Sequence, residues 1–277
     1  MDNLNFFDND KIKSNLKEFL RNRVKLKLFS ETDSTNDQAK KYLKKMKNPG
    51  DISDITIFAA DFQEKGRGRR GHNWFSGGPE GLAASFLFSV DNYTEKIPLI
   101  TAAAALAVSD TFDYFNLKTE LKWPNDILVS QKKIAGILSE LVIDDDQNVF
   151  VIIGCGVNLN NYYFKKEINN LATSYYLEKK EQIDKNIFLS VLIEKMNDYA
   201  NDFFNSKSKE IIMNWKNKLD LVGKIIDFNY KDKNYSGKIK EILDNGDLLI
   251  DFNNGQSKKV SSLNTSLDYK SLKKYNK

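Results

Sequence analysis

The sequence has very little of the chemistry that builds metal centres or disulfide frameworks. Its 277 residues include one cysteine and one histidine, so a Cys/His zinc site, a disulfide framework and a Cys-x-x-Cys redox pair are excluded by count. A single unpaired cysteine fits a reducing, intracellular setting. The longest apolar run, IPLITAAAALAV, falls short of the ~20 residues of a membrane span, and the acidic start MDNLNFFDND is unlike a signal peptide. We expect a soluble cytoplasmic protein.

Arginine is also scarce, and its distribution is informative. Only five of the 42 basic residues are arginine, and three of these, Arg67, Arg69 and Arg70, fall within four positions. The 42 basic and 38 acidic residues give a net charge of +4 and a pI near 8.8, a weak indication of nucleic-acid binding. Residues 222–277 hold 11 lysines and 7 acids, so they carry all of the +4 and residues 1–221 are neutral.

The length and composition of the sequence indicate a folded chain with one large domain or two unequal domains. Hydrophobic residues make up 41% and aromatic residues 12%, which excludes a disordered or collagen-like chain. Apolar periodicity predicts strands at 24–30, 55–60, 82–90, 127–129, 133–143 and 149–159, and helices at 35–47 (ended by Asn48-Pro49-Gly50), 97–115, 184–205 and 207–219. After Leu221, short strand-like runs at 223–228, 236–243, 247–252 and 257–263 predict a small β-barrel. The predicted fold class is therefore α+β, with a mixed-sheet domain over 1–221 and a barrel over 222–277.

Ser34-Thr35-Asn36 precedes the first long helix, and two interpretations are open for it. Thr35-x-x-Gln38 fits a capping box, in which side chains satisfy the free N–H groups of a helix start. Alternatively, the free hydroxyl and N–H groups of a helix N-terminus hold the polar head of a ligand. The two interpretations are compatible.

A loop of about twenty residues between the strands at 55–60 and 82–90 is too long for a plain connection. It carries GRGRRG at residues 66–71. Glycines permit close backbone approach, consecutive N–H groups form an anion site, and arginines grip phosphate in a bidentate manner. A phosphate site is the favoured interpretation, and a solvated basic loop and an RNA-binding Gly/Arg segment are the alternatives. No Gly-Lys-Ser/Thr follows, so the loop is not a Walker A motif.

The run Lys122-Trp123-Pro124-Asn125-Asp126 is followed by Lys132-Lys133-Ile134-Ala135-Gly136. A purely structural interpretation is a strand, a proline turn and a hairpin closed by Ser130-Gln131-Lys132. In the functional interpretation, Lys133 points its ammonium into a cleft and binds a phosphate or carboxylate, and Asp126 helps to hold a divalent cation. The residues alone leave both open.

Gly154-Cys155-Gly156-Val157-Asn158 ends the last strand of this region. Its two glycines allow close backbone approach, and Asn158 is a candidate ligand contact. We predict that Cys155 is a small buried apolar residue of this strand. We do not predict a nucleophilic role for it, because no base accompanies it and His72 lies on the basic loop.

In this order and at this spacing, the four motifs resemble the biotin protein ligases (biotin–[acetyl-CoA carboxylase] ligases), over about residues 29–160. GRGRRG, KWPND, K-I-A-G-I-L-x-E and G-x-G-x-N carry the resemblance. It implies a class II aminoacyl-tRNA synthetase-like catalytic domain followed by an SH3-like barrel. It also implies that biotin and ATP, with Mg²⁺, form biotinyl-5′-adenylate and pyrophosphate. Biotin then passes to one lysine of a biotin carboxyl carrier domain of acetyl-CoA carboxylase or another biotin-dependent carboxylase, without a tightly bound prosthetic group.

The resemblance further implies a role for individual residues. The catalytic residues would be Lys133, Arg67 and Arg69, and Asp126 would bind Mg²⁺. The biotin site would comprise Ser34, Thr35, Asn36, Gln63, Gly66, Arg67, Gly68, Arg69, Lys133 and Gly136. The ATP or adenylate site would comprise Arg69, Arg70, Trp74, Lys122, Asn125 and Asn158. Two departures from the family pattern are His72, where many relatives carry arginine, and VSSLNTSL in the barrel in place of a Gly-Glu-Val-Ser-like turn.

Several expectations concern the chain as a whole. About 28 residues precede the matching region, so we expect the DNA-binding domain of repressor-type members to be absent. We expect neither nucleic-acid nor membrane partners, and the resemblance leaves a homodimer open. Lys273, Lys274 and Lys277 either help to meet an acidic carrier domain or aid solubility. The alternatives are a lipoate or octanoate ligase of the same fold, a nucleic-acid-binding regulator, and a ligand-binding protein without turnover.

Overall fold

The computed structural model describes residues 6–46, 55–74, 78–90, 99–252 and 255–275. The strands are β1 Val24–Thr32, β2 Ile55–Gln63, β3 Gly81–Val90, β4 Glu120–Lys122, β5 Asp126–Val129, β6 Lys132–Ile143, β7 Val149–Asn158, β8 Ile225–Tyr230, β9 Lys233–Ile242, β10 Leu248–Phe252, β11 Ser257–Val260 and β12 Thr265–Asp268. The helices are α1 Asn9–Asn15, α2 Glu18–Arg21, α3 Thr35–Lys45, α4 Ile100–Tyr114, α5 Tyr175–Lys179, α6 Lys185–Asp202, α7 Ser208–Leu219 and α8 Leu272–Tyr275. Asn48-Pro49-Gly50 and Lys277 lie outside the described residues.

The first seven strands form one mixed sheet in the order β1-β2-β3-β7-β6-β5-β4. Strands β1 and β2 are parallel, and every other neighbouring pair is antiparallel. Helices α4 and α6 pack together, and α4 lies on β6 and β5, whereas α3 contacts β2, β3 and β7. A π-helical turn at Phe203–Lys207 joins α6 to α7. The α+β fold class is confirmed.

Strand β7 shows how side-chain alternation divides the two faces of the sheet. Ile153 and its neighbours at alternate positions belong to the main core with α4 and α6. Phe150 and Ile152 point the other way and pack with Ala39 of α3 in a smaller cluster. Further along this second face, β7 has glycine at positions 154 and 156. No β7 side chain covers the sheet at these two positions, so the sheet surface beyond α3 is bare.

The remaining strands form a second, antiparallel sheet in the order β11-β10-β9-β8-β12. Its buried residues, such as Ile226 and Ile239, are continuous with the core of the first sheet. The predicted division at Leu221 falls in the link between α7 and β8. Strand β12 was not predicted from the sequence, and it brings residues to the functional cavity. No helix in the described part of the chain has the length and apolarity needed to cross a membrane.

The predicted capping box at the start of α3 is wrong. Ser34 occupies the N-cap position with extended backbone and no side-chain capping bond, so Thr35 is already inside the helix. The Thr35 N–H and hydroxyl instead donate to Gln63 Oε1, at 2.8 and 3.1 Å, and Gln38 donates to Thr32 Oγ1. A residue from the end of β2 therefore satisfies the helix start.

Candidate functional site

A cavity of about 300 Å³ lies on the bare face of the first sheet, where the start of α3, the loop at residues 66–74 (the Gly/Arg loop) and β12 meet. Most of the predicted site residues line it: Ser34, Thr35, Asn36, Gln63, Arg67, Gly68, Arg69, Arg70, Trp74, Lys122, Asn125, Asp126, Lys133 and Gly136. Gly66 and Asn158 do not. Four motifs that are distant in the sequence thus converge on one site.

Three glycines on β6 and β7 form the floor of the cavity. Gly136 lies opposite Gly156, and Leu138 lies opposite Gly154. A Cβ at Gly154 would lie 2.4 Å from Asn36 Oδ1, and a Cβ at Gly156 would lie 2.3 Å from the Trp74 ring. These approaches require glycine because no side chain can be accommodated at such distances.

A β-bulge aims Lys133 at this floor. Ile127 pairs with Ala135 but Leu128 pairs with Lys133, so Ile134 is the extra residue in β6. Simple alternation would place Lys133 and Gly136 on opposite faces, and the bulge restores them to the same one. The Lys133 Cε and Nζ accordingly lie 2.8 Å from the position of a Cβ at Gly136.

The Lys133 ammonium is held between a carboxylate and an aromatic ring. Its Nζ lies 2.6 Å from Asp126 Oδ1 and 5.3 Å from the centroid of the Trp74 ring. The Lys133 backbone bonds to Leu171 and Thr173 of the segment after β7. One third of the Lys133 side chain remains exposed toward the cavity, so the cation is available to an anionic ligand.

A buried polar network lines the end of the cavity at α3. The hydroxyl of Ser85 on β3 lies 2.7 Å from Thr35 Oγ1 and 2.5 Å from Asn36 Oδ1. The Asn36 amide donates to Glu140 Oε2 at 2.7 Å. Thr35, Asn36 and Ser85 are all buried, so these bonds fix the orientation of the polar groups that a ligand would meet.

Glu140 is the outer member of this network. Burial tends to raise its pKa, but hydrogen bonds from Lys40 and Asn36 outweigh burial and hold the pKa of Glu140 below its ordinary value. Lys40 Nζ lies 2.6 Å from Glu140 Oε1. An ionised Glu140 therefore stabilises the folded chain.

The pH dependence of stability should report this carboxylate. Because the folded pKa of Glu140 is lowered, its contribution is present above the unfolded pKa and is lost as the pH falls through the folded pKa. As the pH is lowered, we expect the unfolding free energy of the wild-type protein to fall by more than that of the Glu140→Gln variant. At the acid end, the unfolding free energies of the two proteins should become similar. Urea unfolding at a series of pH values measures this, and parallel curves would contradict it.

The Gly/Arg loop folds back on itself. Trp74 N donates to Gly66 O, Gly68 N donates to His72 O, and a Cβ at Gly66 would lie 2.5 Å from Trp74 O. The glycine at 66 therefore permits a close approach within the loop, and its predicted approach to a ligand stays a prediction. Arg70 has a φ of 55°, which makes the turn at the tip.

The three arginines of this loop have different partners. Arg67 pairs with Asp37 at 2.5 Å. Arg69 donates to Ser262 O and Oγ at 3.0 and 2.7 Å, and Arg70 donates to Ser262 O and Thr265 O. Burial, followed by the charge of Arg70, lowers the pKa of Arg69, although a guanidinium stays protonated at neutral pH. The loop tip is thus docked on the second sheet.

The second sheet also holds the KWPND turn. Trp123 N donates to the Tyr269 hydroxyl at 2.7 Å, and its indole donates to Gly246 O at 2.8 Å. The Lys122 ammonium lies 5.4 Å from the centroid of the Tyr269 ring. Burial raises the pKa of Tyr269, so the phenol stays neutral.

Replacing Tyr269 with phenylalanine tests this connection. The Trp123 N–H would lose its acceptor in a buried position, which costs about 1–3 kcal/mol of unfolding free energy. Because the turn carries Lys122 and Asn125, to which the resemblance gives a role in the ATP site, we also expect a higher KM for ATP. Denaturant unfolding and nucleotide titration measure the two effects. Unchanged stability and KM would show that the second sheet does not position this turn.

The last motif supplies one residue outside the cavity lining, Asn158, and one residue of the floor, Cys155. Asn158 is buried, and its amide donates to Thr173 O at 2.9 Å, whereas its contact with a ligand stays a prediction. Cys155 is buried as predicted, and burial raises the pKa of its thiol. A thiol in this environment is a poor nucleophile.

Asp126 is the predicted magnesium ligand. Across the described residues, no group of three His, Cys, Asp or Glu side chains is arranged to hold a metal ion. Mg²⁺ is commonly bound through one or two carboxylates together with substrate phosphates and water. A single carboxylate beside Lys133 and Arg69 fits an ion that arrives with a nucleotide.

Several residues of the site were missed from the sequence. Ser85 lies within a predicted strand, where it is indistinguishable from a solvent-facing polar residue, and Glu140 ends the K-I-A-G-I-L-x-E run but was given no role in the site. Ser262 and Thr265 lie almost 200 positions from Arg69 and Arg70. Only the departure of VSSLNTSL from the family pattern drew attention to that stretch.

Residues 28–158 match the Biotin/lipoate A/B protein ligase family. The bifunctional ligase/repressor BirA of Bacillus subtilis is 31% identical over 210 residues, 75% of this chain and 65% of the relative. A biotin–[acetyl-CoA-carboxylase] ligase of Mycobacterium tuberculosis is 29% identical over 180 residues, 62% of each chain.

Solved structures give the same result. The biotin protein ligase of Aquifex aeolicus, in complex with biotin and ATP, aligns with a TM-score of 0.70 and 28% identity. The alignment covers 88% of this chain and 98% of that one, which is more of this chain than the family match covers. The chain spans about two thirds of the length of its bacillary relative. Residues 28–158 belong to the biotin/lipoate A/B protein ligase family.

Proposed function

We propose that this chain activates biotin with ATP and transfers it to a lysine of a biotin carboxyl carrier protein. The observation that carries the proposal is the convergence of Lys133, Arg69 and the Asn36 network on one cavity in a chain of this family. The ligand pair named for the Aquifex aeolicus structure, biotin and ATP, requires one polar pocket and one cationic pocket side by side. Both kinds of group line this cavity.

The first step joins two anions. An oxygen of the biotin carboxylate attacks the α-phosphorus of ATP, and the bond to the bridging oxygen breaks to release pyrophosphate. Charge on both reactants has to be neutralised by fixed cations rather than by an acid–base pair. Lys133 is fixed by Asp126 and Trp74 at the floor of the cavity, where it would bridge the carboxylate and the α-phosphate.

Arg69 and Arg67 would complete this cationic wall. Arg69 is held by Ser262 beside Asn125, and the N–H donors that Ser262 does not occupy can bind phosphate oxygens. Magnesium bound with ATP would be held by Asp126 and would supply further neutralisation of phosphate charge. Thr35 and Asn36 would bind the polar head of biotin at the opposite end.

The product of the first step is a mixed anhydride that water can hydrolyse. A loop that covers the cavity excludes that water. The Gly/Arg loop, with its tip on Ser262 and Thr265, is in position to do so. In the second step the acceptor lysine amine attacks the acyl carbon, AMP leaves, and the amine loses a proton.

The partner we propose is the biotin carboxyl carrier domain of a biotin-dependent carboxylase, with the reaction in the cytoplasm. Purified chain, ATP, Mg²⁺ and biotin should add the mass of one biotinyl group to such a domain, as measured by mass spectrometry. A carrier whose acceptor lysine is replaced by arginine is the matched control. An unmodified wild-type carrier would contradict the proposed transfer.

A further inference from the structure

Lys185, the first residue of α6, is a lysine that the proposed reaction does not use. It is fully buried, and its ammonium lies 2.7 Å from Asp61 Oδ1 and 2.9 Å from Pro79 O. The ring centroid of Phe7 lies 4.3 Å from the same atom. Burial lowers the pKa of Lys185, and Asp61 counters that effect by favouring its charged form.

The partners of Lys185 bracket the Gly/Arg loop. Asp61 lies on β2 two residues before Gln63, which holds the start of α3. Pro79 lies two residues before the start of β3. One ammonium therefore joins the chain entering the loop to the chain leaving it. Phe7 N also donates to Asp61 Oδ1, so the N-terminal segment closes the same cluster.

A buried ion pair is a costly way to fill this space. Removing a lysine and an aspartate from water costs hydration free energy that their mutual attraction only partly recovers. A protein with hydrophobic residues of similar volume in place of such a pair is often equally stable. The cation also lies in the first turn of a helix, where the helix dipole disfavours it. Stability alone does not account for Lys185, whereas a need for a fixed bond to Pro79 O does.

We propose that Lys185 is a positioning residue that holds the two ends of the Gly/Arg loop together and thereby sets the place of Gln63 and Trp74 in the cavity. The tip of the loop is fixed by Ser262 and Thr265 and its base by Lys185. The catalytic consequence rests on the proposed biotin ligase function. The structural consequence, a loosened loop when the base is released, does not.

The test uses a variant that removes the pair as a unit. Lys185→Met alone leaves Asp61 buried without a counter-ion and is expected to be destabilised. Lys185→Met/Asp61→Asn removes both charges, and the amide oxygen introduced at position 61 still offers Phe7 N an acceptor. The control is Lys11→Met, which removes an ion pair to Asp184 at the same helix start rather than a bond to the base of the loop.

We expect the double variant to unfold cooperatively, with faster hydrogen–deuterium exchange in residues 64–74. Its KM for biotin should rise at least ~10-fold, since small misplacement of substrate-holding groups has effects of that size or larger. Release of pyrophosphate without carrier should also rise, because a loosened loop admits water. Lys11→Met should match wild type in all three readouts.

The inference is overturned by a folded double variant with wild-type exchange in residues 64–74, wild-type biotin KM and wild-type pyrophosphate release. If the double variant does not fold, Lys185→Leu/Asp61→Asn, which also removes both charges, is measured in the same way, with the same two outcomes. Wild-type protein without any biotin-dependent turnover would overturn the proposed function instead, and the hydrogen-exchange comparison would still decide the role of Lys185.

Discussion

Replacing Lys133 with alanine is expected to lower biotin-dependent pyrophosphate exchange by roughly 10²–10³, the typical effect of removing one fixed donor that stabilises charge in a transition state. The reason lies in the geometry of the site. The β-bulge at Ile134 turns Lys133 onto the glycine floor, and Asp126 and Trp74 hold its ammonium there. A flexible or fully solvated lysine would contribute far less.

The neighbouring residue supplies the control for this variant. Lys132 is exposed on the same strand and does not line the cavity, so Lys132→Ala should retain exchange within about threefold of wild type. Lys133→Ala should remain folded, because Asp126 is partly solvated and its charge is not stranded in the core. Equal activity of the two variants would remove Lys133 from the reaction.

Replacing Gly154 with alanine is expected to disable the biotin end of the site. The new Cβ would lie 2.4 Å from Asn36 Oδ1. Asn36 is buried and bonded to Ser85 and Glu140, so it can move only by breaking that network. We expect overpacking to cost about 1–3 kcal/mol of unfolding free energy and to raise the KM for biotin far more than the KM for ATP.

A second substitution on the same face separates binding from stability. Ile152 lies two residues before Gly154 and packs with Ala39 of α3, away from the cavity. Ile152→Val should lower the unfolding free energy by about 0.5–1.5 kcal/mol and leave the affinity for biotin unchanged. Isothermal titration with biotin and urea unfolding of both variants measure this contrast. A similar loss of biotin affinity in Ile152→Val would assign the effect of Gly154→Ala to general destabilisation.

Alternation and helical spacing were sufficient to predict most of the first sheet. The strand predicted at 149–159 is β7, and the helix predicted at 184–205 is α6 with its π-helical turn. Strand β12 escaped prediction although strand β5, of the same length, was predicted at 127–129. The four residues of β12, Thr265–Asp268, contain one apolar residue, whereas β5 contains three in a row, so β12 does not stand out from a loop.

The sequence was sufficient to predict most of the residues that line the cavity, but not the hydrogen bonds between them. Glycine-rich and lysine-bearing motifs identified most of the lining because their chemistry is local. The orientation of Lys133 depends on a bulge that alternation does not reveal. The capping of Thr35 by Gln63 and the docking of Arg69 on Ser262 depend on tertiary contacts between residues 28 and 193 positions apart. Such contacts leave no periodic signal in the sequence.

The central claim is that the cavity activates biotin with ATP, and exchange of labelled pyrophosphate into ATP tests it most directly because no carrier protein is needed. With Mg²⁺ and biotin, wild-type protein should catalyse exchange that Lys133→Ala lowers by roughly 10²–10³, and lipoate or octanoate should not replace biotin. Exchange no faster than in Lys133→Ala, or exchange that requires lipoate or octanoate, would contradict the account.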